Sequence, residues 1–410
     1  MSETTLILGA GLAGLASARY LTDNYRLFEK QPEVGGVART FDRQGFLFDV
    51  TGHWLHLRDP DVKALIEELL PGALLEVQRR AAIYSHGILT PYPYQANTHG
   101  LPTQVVAECV LGYFRAREAN LRGDAPPPNN FEAYIRQHMG DGIAEHFMIP
   151  YNTKLWGIAP AQMSHTWCGR FVPLPTPEEI VYGALTPGGA GDHLGYNATF
   201  LYPKSGGIGR LPRALHASLK RPAECGREVL SVDWKEKEVL FRDGERLPYK
   251  WVISTLPLKS LVEDLIDPPE DIRRYGNQLR ATSVTYWDIA VPTPNAQNDP
   301  HWTYFPQPDV PFYRVGSASA AVPSLAPPGH RTHYVEVSHP MGTAPPASQE
   351  DILAGLRRVG VLKAQEVPTV CVSSTIACAY VVMDQNYGPA RQAILDWLRT
   401  QNILSVGRYG

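Results

Sequence analysis

The run Thr4-Thr5-Leu6-Ile7-Leu8 leads without a break into Gly9-Ala10-Gly11-Leu12-Ala13-Gly14, and Glu29 closes the next apolar stretch twenty positions after Gly9. Few folds accommodate that order. A buried strand over Thr4–Leu8, a G-x-G-x-x-G turn, an Ala/Leu-rich helix over Leu12–Thr22 and a second strand over Tyr25–Glu29 make the first half of a Rossmann-type unit. Gly9 lets the turn tighten, Gly11 lets a pyrophosphate approach the backbone, and Gly14 lets helix and strand pack closely. The helix N-terminus offers free N–H groups and the positive end of a dipole. Glu29 is then placed to hold a ribose diol. A ribose 2′-phosphate would set a second anion beside it at low dielectric, which argues against NADP.

Composition narrows the class. With 410 residues and 44% hydrophobic content, the chain can bury a large core divided into two or three lobes. A net charge of −3 and no sustained Lys/Arg run give no field for nucleic acid. The five cysteines, Cys109, Cys168, Cys225, Cys371 and Cys378, are odd in number and lack C-x-x-C spacing, so neither a disulfide framework nor a metal site is expected. The N-terminus lacks the cationic start of a signal peptide, and no span approaches the ~20 apolar residues of a membrane helix. A soluble, cytoplasmic protein is the expectation.

Downstream of Glu29, Gly35-Gly36-Val37-Ala38-Arg39-Thr40 supplies two flexible glycines, a cation and a hydroxyl, as an elongated ligand would require. This element resembles the flavoprotein superfamily that contains amine oxidases and protoporphyrinogen oxidase, which implies FAD. Further stretches fit the same lobe: Lys204–Leu211 leads into a helical pattern, Glu228–Val232 and Lys237–Phe241 suit a small meander ending at Asp243-Gly244, and Trp251–Leu256 and Ile403–Gly410 read as strands. The expected fold class is α/β. It comprises a discontinuous Rossmann-like FAD-binding domain (1–60, 203–260 and 395–410), a mainly helical insert with mobile flaps (61–202), and a substrate domain with a mixed or antiparallel sheet (261–394).

Asp49–His53, Pro91–Gln95, Pro150–Trp156, Tyr196–Phe200 and Tyr304–Pro306 with Pro311–Arg314 resemble, in the same order, segments of UDP-galactopyranose mutases, most of all the eukaryotic type. Tyr92, Tyr94 and Trp156 can supply the flat walls, and Gln95 and Asn152 the amide partners, that a uracil needs. Fixed arginine forks suit a diphosphate, and Arg170 and Arg314 are the candidates. In the eukaryotic mutases the arginine matching Arg170 falls about one residue later, where this chain has Phe171. The resemblance further implies phosphate contacts from Tyr304 and Tyr387, and Asn197 against the flavin or sugar. His53, after Gly52, would lie beside the isoalloxazine, where its charge can respond to flavin reduction. Val229, Gly407 and Arg408 complete the expected cofactor contacts. Flaps are expected at Thr186–Asp192 and Trp167–Pro175.

The implied reaction converts the pyranose form of a UDP-sugar into the furanose form, UDP-galactopyranose to UDP-galactofuranose by family default, with FAD active when reduced and its N5 as nucleophile. His53, Arg170 and Arg314 are the expected catalytic residues, and no metal or Ser/His/Asp triad is needed. A UDP-sugar is the expected partner, with a homo-oligomer as a possible assembly. Family members continue beyond G-R-Y-G, whereas this sequence stops at Gly410, so a truncated chain or an absent last helix is expected. Two alternatives stay open: an FAD-dependent amine oxidase or desaturase, and a flavin-binding homologue with impaired catalysis.

Overall fold

The computed structural model describes residues 4–21, 23–187, 198–293 and 299–410, without the side chains of Arg170 and Phe171. Strand Thr5–Leu8 is covered on both faces, which is why its sequence is an unbroken apolar run rather than an alternating one. It pairs in parallel with Tyr25–Glu29 on one side and Trp251–Ser254 on the other. Glu224–Cys225 extends the sheet beyond the first and Ile403–Ser405 beyond the second, also in parallel. Successive side chains point to opposite faces. Ile7 accordingly packs with Leu15 and Ala18 of helix Leu12–Tyr20 and with Leu215 of helix Arg210–Ala217. Leu6 and Leu8 face the other way, onto Ala390, Ile394 and Leu398 of helix Tyr387–Thr400. An antiparallel meander of Val229–Asp233, Glu238–Phe241 and Arg246–Pro248 closes that second face.

A seven-stranded mixed sheet forms the second layer, in the order Val370–Val382, Arg280–Pro292, His330–Pro340, Arg314–Gly316, Trp302–Tyr304, Ala81–Ser85, Ile88–Pro91. One pair, Trp302–Tyr304 with Ala81–Ser85, is parallel; the others are antiparallel. Its last two strands come from a stretch whose pattern reads as helical. His86 and Gly87, with φ of 52° and 81°, are both left-handed, the geometry of a two-residue hairpin turn, and this turn overrides the local pattern. Leu74–Gln78 pairs with Thr199–Pro203, so residues 61–202 carry strands as well as helices.

Helices Thr103–Arg122 and Phe131–Ile143 cross at backbone contact: a Cβ at Gly142 would lie 2.3 Å from the Glu108 backbone. Their buried faces, with Tyr94 and Phe147, make a separate core. Helix Ile149–Trp156 then docks on the mixed sheet. The Ser338 hydroxyl donates to the Leu155 carbonyl at 2.7 Å, and Lys154 Nζ donates to the carbonyls of Phe305 and Gln307 at 2.8 Å each. Among the described residues no helix is long and apolar enough to cross a membrane, and no group of three His, Cys, Asp or Glu side chains is arranged to hold a metal ion.

Candidate active site

The parallel sheet delivers a glycine-lined concavity at the carboxyl end of Thr5–Leu8. Gly9 has φ +98°, and a Cβ there would lie 2.2 Å from the Thr255 hydroxyl; one at Gly14 would lie 1.9 Å from the Gly9 carbonyl oxygen. Only glycine closes this turn. Helix Leu12–Tyr20 starts at Gly11 with no side chain capping its first amides, as an anion-receiving N-terminus requires. Glu29 is buried, and its carboxylate accepts from the amides of Ala10 at 2.9 Å and Gln31 at 3.0 Å, which aims it across the turn. The Gly35-Gly36 pair sits on top: Gly35 N–H donates to the Ala10 carbonyl, and Gly36 meets Gly11. Arg39 donates from Nε to the Gly36 carbonyl at 2.8 Å and lies over the Phe41 ring. An uncapped helix end, a bare glycine floor and a buried carboxylate together fit the diphosphate and ribose of FAD. Val229 opens its strand just beyond Glu224–Cys225, the neighbour of Phe28 and Glu29.

From this cradle the chain's last turn reaches the second half of the site. A Cβ at Gly407 would lie 3.1 Å from that of Ala13 in the cradle helix, and the Arg408 guanidinium lies 5.2 Å from the centre of the Tyr380 ring. Three neighbouring strands then set Tyr304, Arg314 and Glu336 in one row across the mixed sheet. Arg314 is held by Glu336 through both fork positions, Nε to one oxygen and Nη2 to the other at 2.7 Å. Burial opposes the Arg314 charge, but Glu336, together with Tyr380 and Tyr313, outweighs it and raises the pKa.

Aromatic rings complete the cleft. Tyr151 meets Tyr304 edge-on at 5.2 Å, Tyr92 lies 5.7 Å from Tyr304, and Trp156 lies 5.7 Å from Tyr380. Burial raises the pKa of Tyr92, Tyr151, Tyr304 and Tyr313, so these phenols stay protonated donors. His53 Nδ1 is buried and has no hydrogen-bond partner among the described residues. Burial, followed by Arg408, lowers its pKa to about 4, against the opposing pull of Glu336.

Several expected residues have other surroundings. Tyr94 is fully buried, stacked on Phe147 at 5.0 Å inside the helical core, and does not reach the cleft. Tyr92, two residues earlier, does. Thr40 donates to Asp49 at 2.6 Å and accepts from the Gly209 amide at 2.8 Å, so its hydroxyl joins two turns rather than facing a ligand. Gln95 donates to the Pro173 carbonyl at 2.7 Å. Asn152 donates to the Met148 carbonyl and accepts from the Trp156 indole at 3.1 Å, which makes it the brace of Trp156. Tyr387 packs against the core beneath the parallel sheet, at the start of its helix. Asn197 and Gly188–Asp192 lie outside the described residues, as does the Arg170 side chain.

Tyr380, Tyr151 and Glu336 enter the cleft without having been singled out in the sequence. Glu336 had a signal: in Tyr334-Val335-Glu336-Val337 a carboxylate sits inside a strand that is otherwise apolar and aromatic, and a buried acid demands a cation. Tyr380, near the end of strand Val370–Val382, had no such signal.

Comparison with known proteins follows the same lines. A family model described as flavin containing amine oxidoreductase matches residues 12–360. Protoporphyrinogen oxidase 2, chloroplastic/mitochondrial, of Arabidopsis thaliana is 22% identical over 269 residues, 58% of this chain and 51% of that enzyme. The chain thus spans about half the length of this curated relative. A crystal structure of reduced UDP-galactopyranose mutase superposes with a TM-score of 0.90 at 27% identity, covering 99% of this chain and 90% of that one. Putrescine oxidase bound to putrescine superposes at 0.65 with 17% identity, covering 99% and 93%, a likeness of fold alone.

Proposed function

The chain belongs to the flavin-containing amine oxidoreductase family, with FAD as its cofactor, and from that membership we propose that it is a nucleotide-sugar mutase interconverting the pyranose and furanose forms of a UDP-sugar. The observation that carries this reading is the row Tyr304, Arg314 and Glu336, walled by Tyr92, Trp156 and Tyr380. An amine oxidase site needs an apolar route to the flavin. This cleft instead gathers phenols and guanidinium groups, the chemistry of a diphosphate. The likeness in fold to reduced UDP-galactopyranose mutase supports the same choice.

In this reading Gly9, Gly11, Gly14, Glu29, Gly36, Arg39, Gly52, Val229, Gly407 and Arg408 hold FAD. Bound and reduced, the cofactor supplies the nucleophile for the anomeric carbon, so the reaction has no net redox change. Tyr92 and Trp156 flank the uracil, with Asn152 keeping the indole in place. Arg314, fixed by Glu336, presents its remaining N–H groups to the diphosphate as directed donors, joined by the hydroxyls of Tyr304 and Tyr380 and, from the resemblance, by Arg170. Stabilising the departing diphosphate is the protein's main catalytic task. His53, neutral at pH 7, faces the cofactor without competing with Arg314 for anions. From the resemblance, Asn197 is proposed to touch the flavin or sugar, and the Trp167–Pro175 segment to close over the site.

The test is incubation of the purified FAD-loaded protein with UDP-galactopyranose, with and without dithionite, and chromatographic separation of the furanose product. Product only under reduction is expected. Oxygen consumption with amines and no ring contraction would replace the proposal by an oxidase; FAD binding with neither activity would leave an impaired homologue.

A further inference from the structure

Asp49 is buried, yet three donors from three separate segments converge on its carboxylate. The Thr40 hydroxyl and the Ile208 amide donate to Oδ1 at 2.6 and 3.1 Å, and the Tyr202 hydroxyl donates to Oδ2. The segments are drawn tight around it: a Cβ at Gly207 would lie 2.3 Å from the Thr40 hydroxyl and 2.8 Å from Asp49 Oδ1. Tyr202 in turn packs at 5.2 Å on Trp54, the residue after His53. One acid therefore touches the Arg39-Thr40 hairpin, the Gly206–Gly209 turn and, through Tyr202 and its own strand, the Thr51-Gly52-His53 turn.

We propose that Asp49 is a positioning residue for the cofactor, its carboxylate tying these three segments into one wall against the FAD cradle so that FAD is retained. The proposal rests on FAD lying in the Gly9–Glu29 cradle and is independent of which substrate the enzyme takes. Ionisation is what the arrangement needs, because an ionised carboxylate accepts at both oxygens, whereas a protonated one must itself donate. Burial pushes the Asp49 pKa up to about 6, with Thr40, Tyr202 and Ile208 pulling it back, so the group is ionised at neutral pH. Asn keeps one acceptor oxygen for Thr40 and Ile208 but brings an NH2 donor to the Tyr202 side, where that hydroxyl must give up its donated bond.

Flavin fluorescence on the apo-protein titrated with FAD, alongside the melting temperature of the FAD-free chain, tests this. Asp49→Asn is expected to weaken FAD binding at least about tenfold, beyond what any fall in FAD-free melting temperature accounts for. Thr40→Val is expected to weaken it less, and to cost less when combined with Asp49→Asn than it costs alone. Unchanged affinity in Asp49→Asn, a loss that only tracks a lowered melting temperature, or additive effects in the double variant would overturn the proposal. Should Asp49→Asn not fold, the Thr40→Val and Tyr202→Phe pair carries the test: coupled losses support a shared acceptor, and independent losses refute it. Glu29→Ala distinguishes the premise, since wild-type FAD affinity in that variant would move the cofactor out of the cradle and take the role of Asp49 with it.

Discussion

Arg314 is worth more as a shape than as a charge. Glu336 neutralises it and occupies Nε and one terminal nitrogen, so what remains for a ligand is a guanidinium edge whose direction is set by the pair. A lysine at this position would keep the charge and lose the fork. Arg314→Lys is accordingly expected to weaken UDP binding about tenfold, a cost of about 1.4 kcal/mol, with FAD content unchanged. Isothermal titration of the reduced protein with UDP measures it, and an unaltered affinity would remove Arg314 from the diphosphate site. Asn152 shows how a residue type legible in the sequence can serve a different end: its amide acts on Trp156, and the indole forms the wall.

At the level of elements, the site exists because short strands are in register. Tyr304 and Arg314 are ten residues apart, and Arg314 and Glu336 twenty-two, yet each pair is directly opposed across a ladder. Gly316 shows how tightly the row is built. It is opposed to Tyr334, and a Cβ at Gly316 would lie 1.9 Å from the Tyr334 ring. Gly316→Ala is expected to destabilise the protein by about 1–3 kcal/mol through overpacking. The measurement is urea unfolding of the holoprotein, and a stability equal to the wild type would mean that the Tyr334 ring has room to move. Helix Ile149–Trp156 is tied to the same sheet by Lys154 and the Leu155 carbonyl, through hydrogen bonds to residues some 150 and 180 positions away, and by the rings of Tyr151 and Trp156.

Across the whole molecule, the chain's final turn joins its two sheets. Gly407 rests on the cradle helix at Ala13, and Arg408 bears on both Tyr380 and His53. Arg408 is the second cause, after burial, of the low His53 pKa. Removing that cation must raise it: Arg408→Gln is expected to shift His53 upward from about 4, toward the ordinary imidazole range. Histidine resonances followed by NMR during a pH titration of the FAD-free protein read the shift directly. No upward movement would show that Arg408 and His53 do not share a field.

Sequence alone determined the dinucleotide cradle, because its physics is local: a strand, three glycines, a helix start and an acid follow one another within thirty residues. It also carried Arg39, His53, Trp156 and Arg314 to attention through the motifs around them. Pattern could not tell Tyr92 from Tyr94, two positions apart with the same side chain; one meets Tyr304 and the other the helical core, and only packing chooses. Glu336 and Tyr380 gain their place from strand register and Asp49 from three converging segments; local sequence marks Glu336 as a buried acid but does not name its partner. Contacts between residues far apart in the chain depend on how elements stack, and that is settled by the burial of whole faces rather than by any short run of residues.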